Sequence, residues 1–469
     1  MKKLFVLFLM ISSISFAQGH GTWTLIDSLK IPREYSASVE LVNGNIFVTG
    51  GVDSISINTT EIFDYKKEKW EIATPMNVGR GSHVMVRLNN GNVMAIGDFF
   101  NKSCEIYDTL SKSWILTDSL IVKRSFGETA TLLDNGNILV TGGYDETLGK
   151  PKGLKSSEIY DSKQAKWILT DSMKFDRHEF SAIKLSDGRV LVIGGFCVAA
   201  KGEINNCEIY DPKTGKWNEA APLNLARYDY AATLLPNGKV LVTGGLNYSN
   251  ETSPWLTSCE LYDPLQNTWT IVGPIVYPRT AHSAIILKNG LLLLAGGDTD
   301  NEIWELYDID SFKSIYYNSF PGKQSIPLIN LLPNGKVLYA GGMTYNDWTP
   351  EHFDLFISST KMCYIFDPKG FDAVEQPKNL LPKDFRLYQN YPNPFNPSTT
   401  VRYELPKTSH VIIKIFNSIG EEVTTLIDKS QLAGSYSVNF NAKNLSSGVY
   451  FYQIIADNWV STNKMLLIK

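Results

Sequence analysis

Apolar and polar positions along this chain fall into one phrase that returns seven times. Its fullest form is "LLPNGKVLVTGG", and its relatives are "LVNGNIFVTGG", "LNNGNVMAIGD", "LLDNGNILVTGG", "LSDGRVLVIGG", "ILKNGLLLLAGG" and "LLPNGKVLYAGG". Each sets two apolar runs around an Asn-Gly or Asp-Gly pair, which predicts a strand a and a strand b joined by a tight type I′ hairpin turn. Strand b is rich in Val, Leu and Ile and ends in Gly-Gly, with Gly97-Asp98 as the departure. The leading glycines, Gly50, Gly97, Gly142, Gly194, Gly244, Gly296 and Gly341, are spaced by about 48 residues on average. That period is the size of a four-stranded propeller blade. An aromatic followed by Asp (Phe63, Tyr107, Tyr160, Tyr210, Tyr262, Tyr307, Phe366) marks strand c, and Trp70, Trp114, Trp167, Trp217 and Trp269 mark strand d in the first five units.

The seventh unit stops after its strand c. The stretch "GTWTLIDSLKIPREYS", residues 21–36, matches the closing part of other units, "KSWILTDSLIVKRSFG" and "AKWILTDSMKFDRHEFS", with nothing before it to close. Trp23 holds the strand d position, so residues 22–26 are predicted to supply the missing outer strand of the last unit. Such closure hides strand edges that otherwise invite aggregation.

Gly-Gly, then Tyr-Asp, then Trp about seven positions after the Tyr resembles the kelch repeat, in seven ordered copies over roughly 350 residues. The resemblance implies an all-β, seven-bladed kelch β-propeller over residues 18–370, with the recurrent Tyr and Trp packing between blades. It also implies that the a–b and c–d turns share one face and the b–c and d–a connections the other.

The beginning of the chain lies outside this pattern. Lys2 and Lys3 precede the apolar "LFVLFLMISSI", and Ser15-Phe16-Ala17 follows, which reads as a secretory signal cleaved after Ala17. No later run approaches the ~20 apolar residues of a membrane span. Losing the two lysines takes the formal charge from -4 to -6, which argues against nucleic acid as a partner. Four of the five cysteines (Cys104, Cys207, Cys259, Cys363) share one strand c register, where other copies have Thr60 or Ser157, so they read as small strand residues. Cys197 and Cys207 flank one loop and are the pair positioned for a disulfide, which export permits. No CxxC spacing of a metal site occurs, and no cofactor is expected.

After "FDPKG" the repeat ends. Residues 371–385, "FDAVEQPKNLLPKDF", have the proline and charge content of a linker. Residues 386–469 read as short strands, with alternation at Tyr436, Val438 and Phe440, and predict a small β-sandwich of Ig-like type. "NYPNPFNPSTTVRYELP", "IFNSIGEEVTTL", "LSSGVYFYQI" and the terminal "KMLLIK" resemble the C-terminal sorting domain of the type IX secretion system of Bacteroidota. The resemblance implies passage across the outer membrane by that machinery and removal of the module at the surface, leaving a released or surface-attached propeller. From Arg386 onward there are 8 basic and 5 acidic residues, so the mature remainder carries -9. On this division the sandwich is an address, and its Tyr450 and Tyr452 need no ligand.

Function is then sought on the propeller. The c–d turns are uniform, with Asp and Trp 6 apart in the first five units, whereas the b–c loops run to 10, 7, 15, 13, 15, 8 and 22 residues. Variable loops on a rigid scaffold are where binding residues sit. The loops of blades 5 and 7 carry Tyr248, Trp255, Tyr345 and Trp348 among Asn, Ser and Thr, a mix suited to sugar or protein surfaces. The d–a connections repeat a basic residue (Arg33, Arg80, Arg124, Arg177, Arg227, Arg279, Lys323), read as part of the kelch pattern that bonds carbonyls between blades. In similar kelch proteins the next residue faces the central mouth; here it is Glu34, Gly81, Ser125, His178, Tyr228, Thr280 and Gln324. Glu34 and His178 would serve acid–base chemistry if they faced one ligand. Asp298, Asp300 and Glu302 lack the spacing of a calcium loop and read as a solvated turn.

These features favour a secreted or surface recognition protein that binds a glycan or protein through the b–c and d–a face. The alternative is a secreted carbohydrate-active enzyme, either galactose-oxidase-like or a sugar epimerase or lyase. The copper enzymes need two tyrosines and two histidines, and the six histidines here show no paired metal-ligand spacing. A third reading is a scaffold for other secreted proteins.

Overall fold

The computed structural model describes residues 21–145, 152–249, 253–297, 303–320, 326–345, 357–368, 384–390, 393–407, 409–431 and 434–468. Among these, every regular element is a strand, and no helix is long and apolar enough to cross a membrane. The signal segment 1–17 and residues 371–383 of the linker lie outside the described residues.

Seven antiparallel sheets follow one another, each of four strands except the third, which the short strand Lys152–Gly153 extends to five. The first blade shows the common plan: strand a Ala37–Glu40, b Ile46–Thr49, c Thr60–Asp64 and d Lys69–Ala73, paired in that order. Strand b is buried along its whole length in blade after blade, which is why its sequence is a continuous apolar run rather than an alternation. The inner strands touch their neighbours in cyclic order, the last (Leu328–Leu331) meeting the first (Ala37–Glu40), so the ring is closed.

The a–b hairpin differs from the expected type I′ turn. In the fifth blade Gly238 N donates to Leu235 O and Leu235 N to Lys239 O, and only Gly238 of the loop has a positive φ. This is a three-residue loop, a type I turn closed by a left-handed glycine. Pro236 suits this loop, since its ring fixes the negative φ that a type I turn needs there, and the same hydrogen bonds form in blades with Val42 or Ser186 at that place.

Outer-strand aromatics join the blades. Tyr107 and Trp114 face each other across strands c and d at 5.2 Å, and both pack on Phe47 of the preceding blade. Trp114 Nε1 donates to Thr74 O, again in the preceding blade. The Asp of the "IDS" and "TDS" phrases also links neighbours, because Asp27, Asp118 and Asp171 accept from the backbone N–H of Trp70, Trp167 and Trp217 in the next blade.

The last blade is completed as the sequence predicts. Strand Thr22–Leu25 pairs with Cys363–Asp367, and Trp23 lies opposite Phe366 with ring centroids 5.0 Å apart. Trp23 also meets Trp304, Phe320 and Tyr339 of blades 6 and 7.

A buried ion pair is repeated in six blades. Arg33–Glu61, Arg80–Glu105, Arg124–Glu158, Arg177–Glu208 and Arg227–Glu260 close at 2.6–3.0 Å, and Arg279–Glu305 at 3.8 Å. Arg177 Nη1 also donates to Gly194 O and Asn206 O, while Glu208 accepts from Lys174 N and Phe175 N just before the arginine. These carbonyls belong to the blade that the d–a connection enters, not to a neighbouring blade as expected. The arginine therefore ties its own connection beneath the b–c loop of its own blade.

The C-terminal unit has two sheets. Arg386–Leu387, Ser398–Leu405 and Gly434–Asn441 form one, and Glu422–Gln431, Ser409–Phe416, Gly448–Ala456 and Trp459–Leu467 the other. Tyr403, Ile413, Ile454 and Tyr452 are buried between them. Tyr452 OH donates to Tyr388 O and accepts from Asn390 N, and Tyr450 OH donates to Ser446 O, so both hydroxyls serve the fold.

Deleting residues 18–30 is expected to abolish the cooperative thermal transition of the propeller, and Trp23→Ala to cost about 3 kcal/mol in urea unfolding. An unchanged melting temperature for the deletion would contradict closure by this strand. Arg177→Ala, which strands the Glu208 carboxylate in the interior, is expected to cost about 3–5 kcal/mol in the same measurement.

Candidate functional site

With each arginine fixed, the residue after it is held at the mouth of the ring by pairing with the residue that follows the glycines of strand b. Glu34 exchanges two backbone hydrogen bonds with Val52, His178 with Phe196, and Tyr228 with Leu246. Ser125 N donates to Tyr144 O, Thr280 N to Gly297 O and Phe99 N to Gly81 O. Glu34, Gly81, Ser125, His178, Tyr228 and Thr280 thus occupy one register around the axis. Gln324 lies outside the described residues.

The position after that one is not among the sequence candidates, although the same register contains it. Tyr35, Ser82, Glu179, Asp229 and Ala281 all have left-handed φ of 49–57°, which is uncommon outside glycine. Their backbones form a belt: Ser82 N donates to Tyr35 O, Asp229 N to Glu179 O, and Ala281 N to Asp229 O. The belt carries Glu179 and Asp229 side by side. Burial raises both carboxyl pKa values, and the charge of Asp229 pushes Glu179 further, so the two titrate as a pair.

Blade 3 departs from the register by one residue. Gly127, not Phe126, takes the left-handed place, and the hairpin Phe126–Leu132 with Ile138–Asp145 is longer than in other blades. The extra length pairs Phe126 with Tyr144 above the mouth. Rings then run around much of the opening. Phe99, Tyr35 and Phe126 lie about 6 Å from one another, Phe99 and Phe126 stacked. On the other side of that hairpin, Tyr144 lies 5.5 Å from His178, His178 5.2 Å from Phe196, Phe196 5.6 Å from Tyr228, and Tyr228 6.4 Å from Tyr248. Tyr248 is 65% exposed, and Ser249 N donates to Glu203 Oε1, which ties the loops of blades 4 and 5 together.

The other sequence candidates are placed differently. Glu34 and His178 sit in blades 1 and 4. The charge that acts with burial to raise the Glu34 pKa is Asp53 of its own blade, whereas His178 Nε2 lies 3.8 Å from Glu179 Oε2. Burial lowers the His178 pKa, which favours the neutral ring. No hydrogen bond or ion pair joins Glu34 to His178 among the described residues. Trp255 is half-buried and pairs through its backbone with Leu246, the strand neighbour of Tyr228. Tyr345 pairs through its backbone with Ile357, while Trp348 lies outside the described residues, as do Asp298, Asp300 and Glu302.

The expected disulfide is absent: Cys197 and Cys207 are both free thiols. Cys197 points to Asp176, whose Oδ1 is 3.2 Å from its sulfur, whereas Cys207 opens strand c and packs in the core between blades 4 and 5. Loop flanks in sequence are here two different environments in space. Asp98, the residue that interrupts Gly-Gly, accepts from Gly81 N, Ser56 Oγ, Phe100 N and Asn101 Nδ2, and so fastens the short loop of blade 2.

The other histidines among the described residues have structural partners. His83 and His282 set Nε2 2.7 and 2.9 Å from Thr49 Oγ1 and Thr243 Oγ1 of the preceding blade, and His410 pairs with Asp428 in the C-terminal unit. Among the described residues no three His, Cys, Asp or Glu side chains converge as metal ligands. On the opposite face the turns of blades 4 and 5 enclose an open groove of about 380 Å³. Its charged groups are already matched, Arg189 with Asp187 and Lys239 with Asp263.

Several buried polar atoms at the mouth lack protein partners: Glu34 Oε2, Ser125 Oγ, both carboxyl oxygens of Glu128, His178 Nδ1 and Asn247 Oδ1. Such groups in a native interior call for water or ligand. Glu128 takes the place that His83 and His282 hold in their blades, but the preceding strand ends in Ile96, which has no hydroxyl. Burial, with a smaller contribution from Asp98, raises its pKa to about 8. A carboxyl whose folded pKa lies above its unfolded value stabilises fully below the unfolded value and loses that contribution as pH rises through the folded one. The protein is therefore expected to melt at a lower temperature at pH 9 than at pH 5. Glu128→Gln should match the parent at pH 5 and melt higher at pH 9; identical profiles for the two would contradict the assignment.

Comparisons with known proteins match this geometry. The kelch motif family matches residues 35–77, 185–224 and 227–274, and the secretion system C-terminal sorting domain family matches residues 389–469. Human Kelch-like protein 23 is 29% identical over 267 residues, covering 54% of this chain and 44% of that protein. Kelch-like protein 15 of Danio rerio is 24% identical over 200 residues, covering 38% and 32%. The chain thus spans less than half the length of these relatives. Among solved structures, a fungal alcohol oxidase of the AA5 family in complex with copper is similar, with a TM-score of 0.58 at 13% identity, over 96% of this chain and 100% of that one. This last likeness is one of fold. The sorting domain marks the chain for secretion or attachment at the cell surface. The chain is a kelch-repeat β-propeller protein with a C-terminal type IX secretion sorting domain.

Proposed function

We propose that the propeller is an extracellular recognition module that binds a glycan or protein ligand at the mouth formed by the b–c and d–a connections, on the side of blades 3 to 5. One observation carries the reading. The ring series Tyr144, His178, Phe196, Tyr228 and Tyr248 opens to solvent at Tyr248 and lies in the same face as buried polar atoms without protein partners. Aromatic faces beside unsatisfied polar groups form a common kind of ligand site. The sorting domain delivers this face to the outside of the cell, where glycans and surface proteins are the available partners. The likeness to the copper alcohol oxidase adds nothing to an enzymatic reading, because one fold serves many functions.

The test uses the mature chain against a glycan array and against surface proteins of cells in culture. A bound partner is expected, with affinity lowered at least tenfold by Tyr228→Ala with Tyr248→Ala while the melting temperature of the fold is retained. Absence of binding in both screens, or binding indifferent to these two residues, would overturn the proposal.

A further inference from the structure

The sector that blades 4 and 5 contribute to the mouth combines two kinds of group that seldom lie together without a purpose. One kind is the aromatic series, whose successive rings meet at interplanar angles of 49°, 48°, 81° and 33°. Rings so inclined form walls around a compact group; a flat platform for a sugar face needs them nearly coplanar. The other kind is the carboxylate pair Glu179 and Asp229, each the immediate neighbour of a wall residue, His178 and Tyr228. Both carboxylates are only partly exposed, and no salt bridge from Lys or Arg to either is present among the described residues. The nearest arginines, Arg177 and Arg227, are committed to Glu208 and Glu260. A third, independent observation comes from blade 3: Ser125, 4% exposed and bound through its N–H to Tyr144 O, leaves its hydroxyl without a partner at this edge.

We propose that this sector is a receptor for an alkylammonium group, the side chain of a lysine in a polypeptide ligand. The inference rests on the recognition reading above and names its chemistry. An ammonium is attracted by the faces of Tyr and Phe, and its charge offsets the burial that keeps Glu179 and Asp229 from ionising fully, drawing the pair into its charged form as it binds. It supplies three donors to acceptors that have none from the protein. Neutral His178 leaves no positive charge in the sector to repel it. An acidic propeller, -9 after the signal segment and the sorting module are both set aside, also favours the approach of a cationic segment.

The experiment uses the mature full-length chain with Nα-acetyl-lysine methylamide as probe, read by saturation-transfer NMR and titration. Its Nε-acetylated counterpart and glucosamine are the controls. Binding of the lysine probe is expected, at least tenfold stronger than that of the acetylated form, and weakened at least tenfold by Glu179→Gln with Asp229→Asn. Tyr248→Ala, an exposed position whose loss leaves the core intact, should weaken it as well. Melting temperature of each variant separates loss of binding from loss of fold. Equal binding of the two lysine forms would sink the ammonium assignment, and binding of glucosamine without lysine would replace it with an amino sugar. If a partner from the screens depends on Tyr228 and Tyr248 but ignores Glu179→Gln with Asp229→Asn, recognition stands and the ammonium proposal falls.

Discussion

The buried arginine–glutamate clasp is the interaction on which the arrangement of this propeller depends. In six blades a guanidinium with no solvent contact sits beside a strand c carboxylate, and in the fullest cases it also holds the carbonyl at the end of strand b and one from the end of the b–c loop. Charges are expensive to bury, and such a pair is tolerated only when its remaining donors and acceptors are satisfied. The backbone supplies most of those partners at the point where the chain crosses from one blade to the next, while Nε of Arg33, Arg124, Arg177 and Arg279 is buried without one. Crossing and loop are therefore locked to each other, and the residue just past each arginine has one place to go.

This division of labour explains the contrast between conformity and variety in the chain. Hairpin glycines, strand b, the Tyr–Trp pairs and the Asp caps repeat because each blade must fit the next. The residues beyond the arginine face only the mouth and are free to differ. Blade 3 uses that freedom by an inserted residue that lengthens its inner hairpin, and blades 4 and 5 by placing His-Glu and Tyr-Asp where other blades have Gly-Ser and Thr-Ala. The seventh blade lacks both halves of the clasp, with Lys323 and Tyr364 at the two positions. It is instead completed by the N-terminal strand, whose Trp23 is wedged among four aromatic neighbours.

Much of the architecture is legible in the order of residues because it rests on local periodicity. The seven-fold phrase, the Tyr-Asp and Trp positions and the displaced strand at residues 22–25 all repeat at fixed offsets. The clasp is half legible: the arginines stand out at one register, while their glutamates look like ordinary strand openers. One signal for the pairing lies in the chain, since the only unit without the Arg is also the only one without the Glu. The turn type is concealed because Asn-Gly suggests type I′, whereas the preceding residue, proline in two copies, extends the loop to three.

What the sequence determined by itself was the repeat, the blade order, the sorting module and the register that faces the mouth, because each is written in spacing along one chain. The tertiary structure alone decided which side chains meet there. It set His178 beside Glu179, left Cys197 and Cys207 as free thiols in different surroundings, and brought the backbones of Glu179 and Asp229 together next to Tyr228. Those contacts depend on the angle between blades and on left-handed backbone at the axis, neither of which leaves a mark in the order of residues.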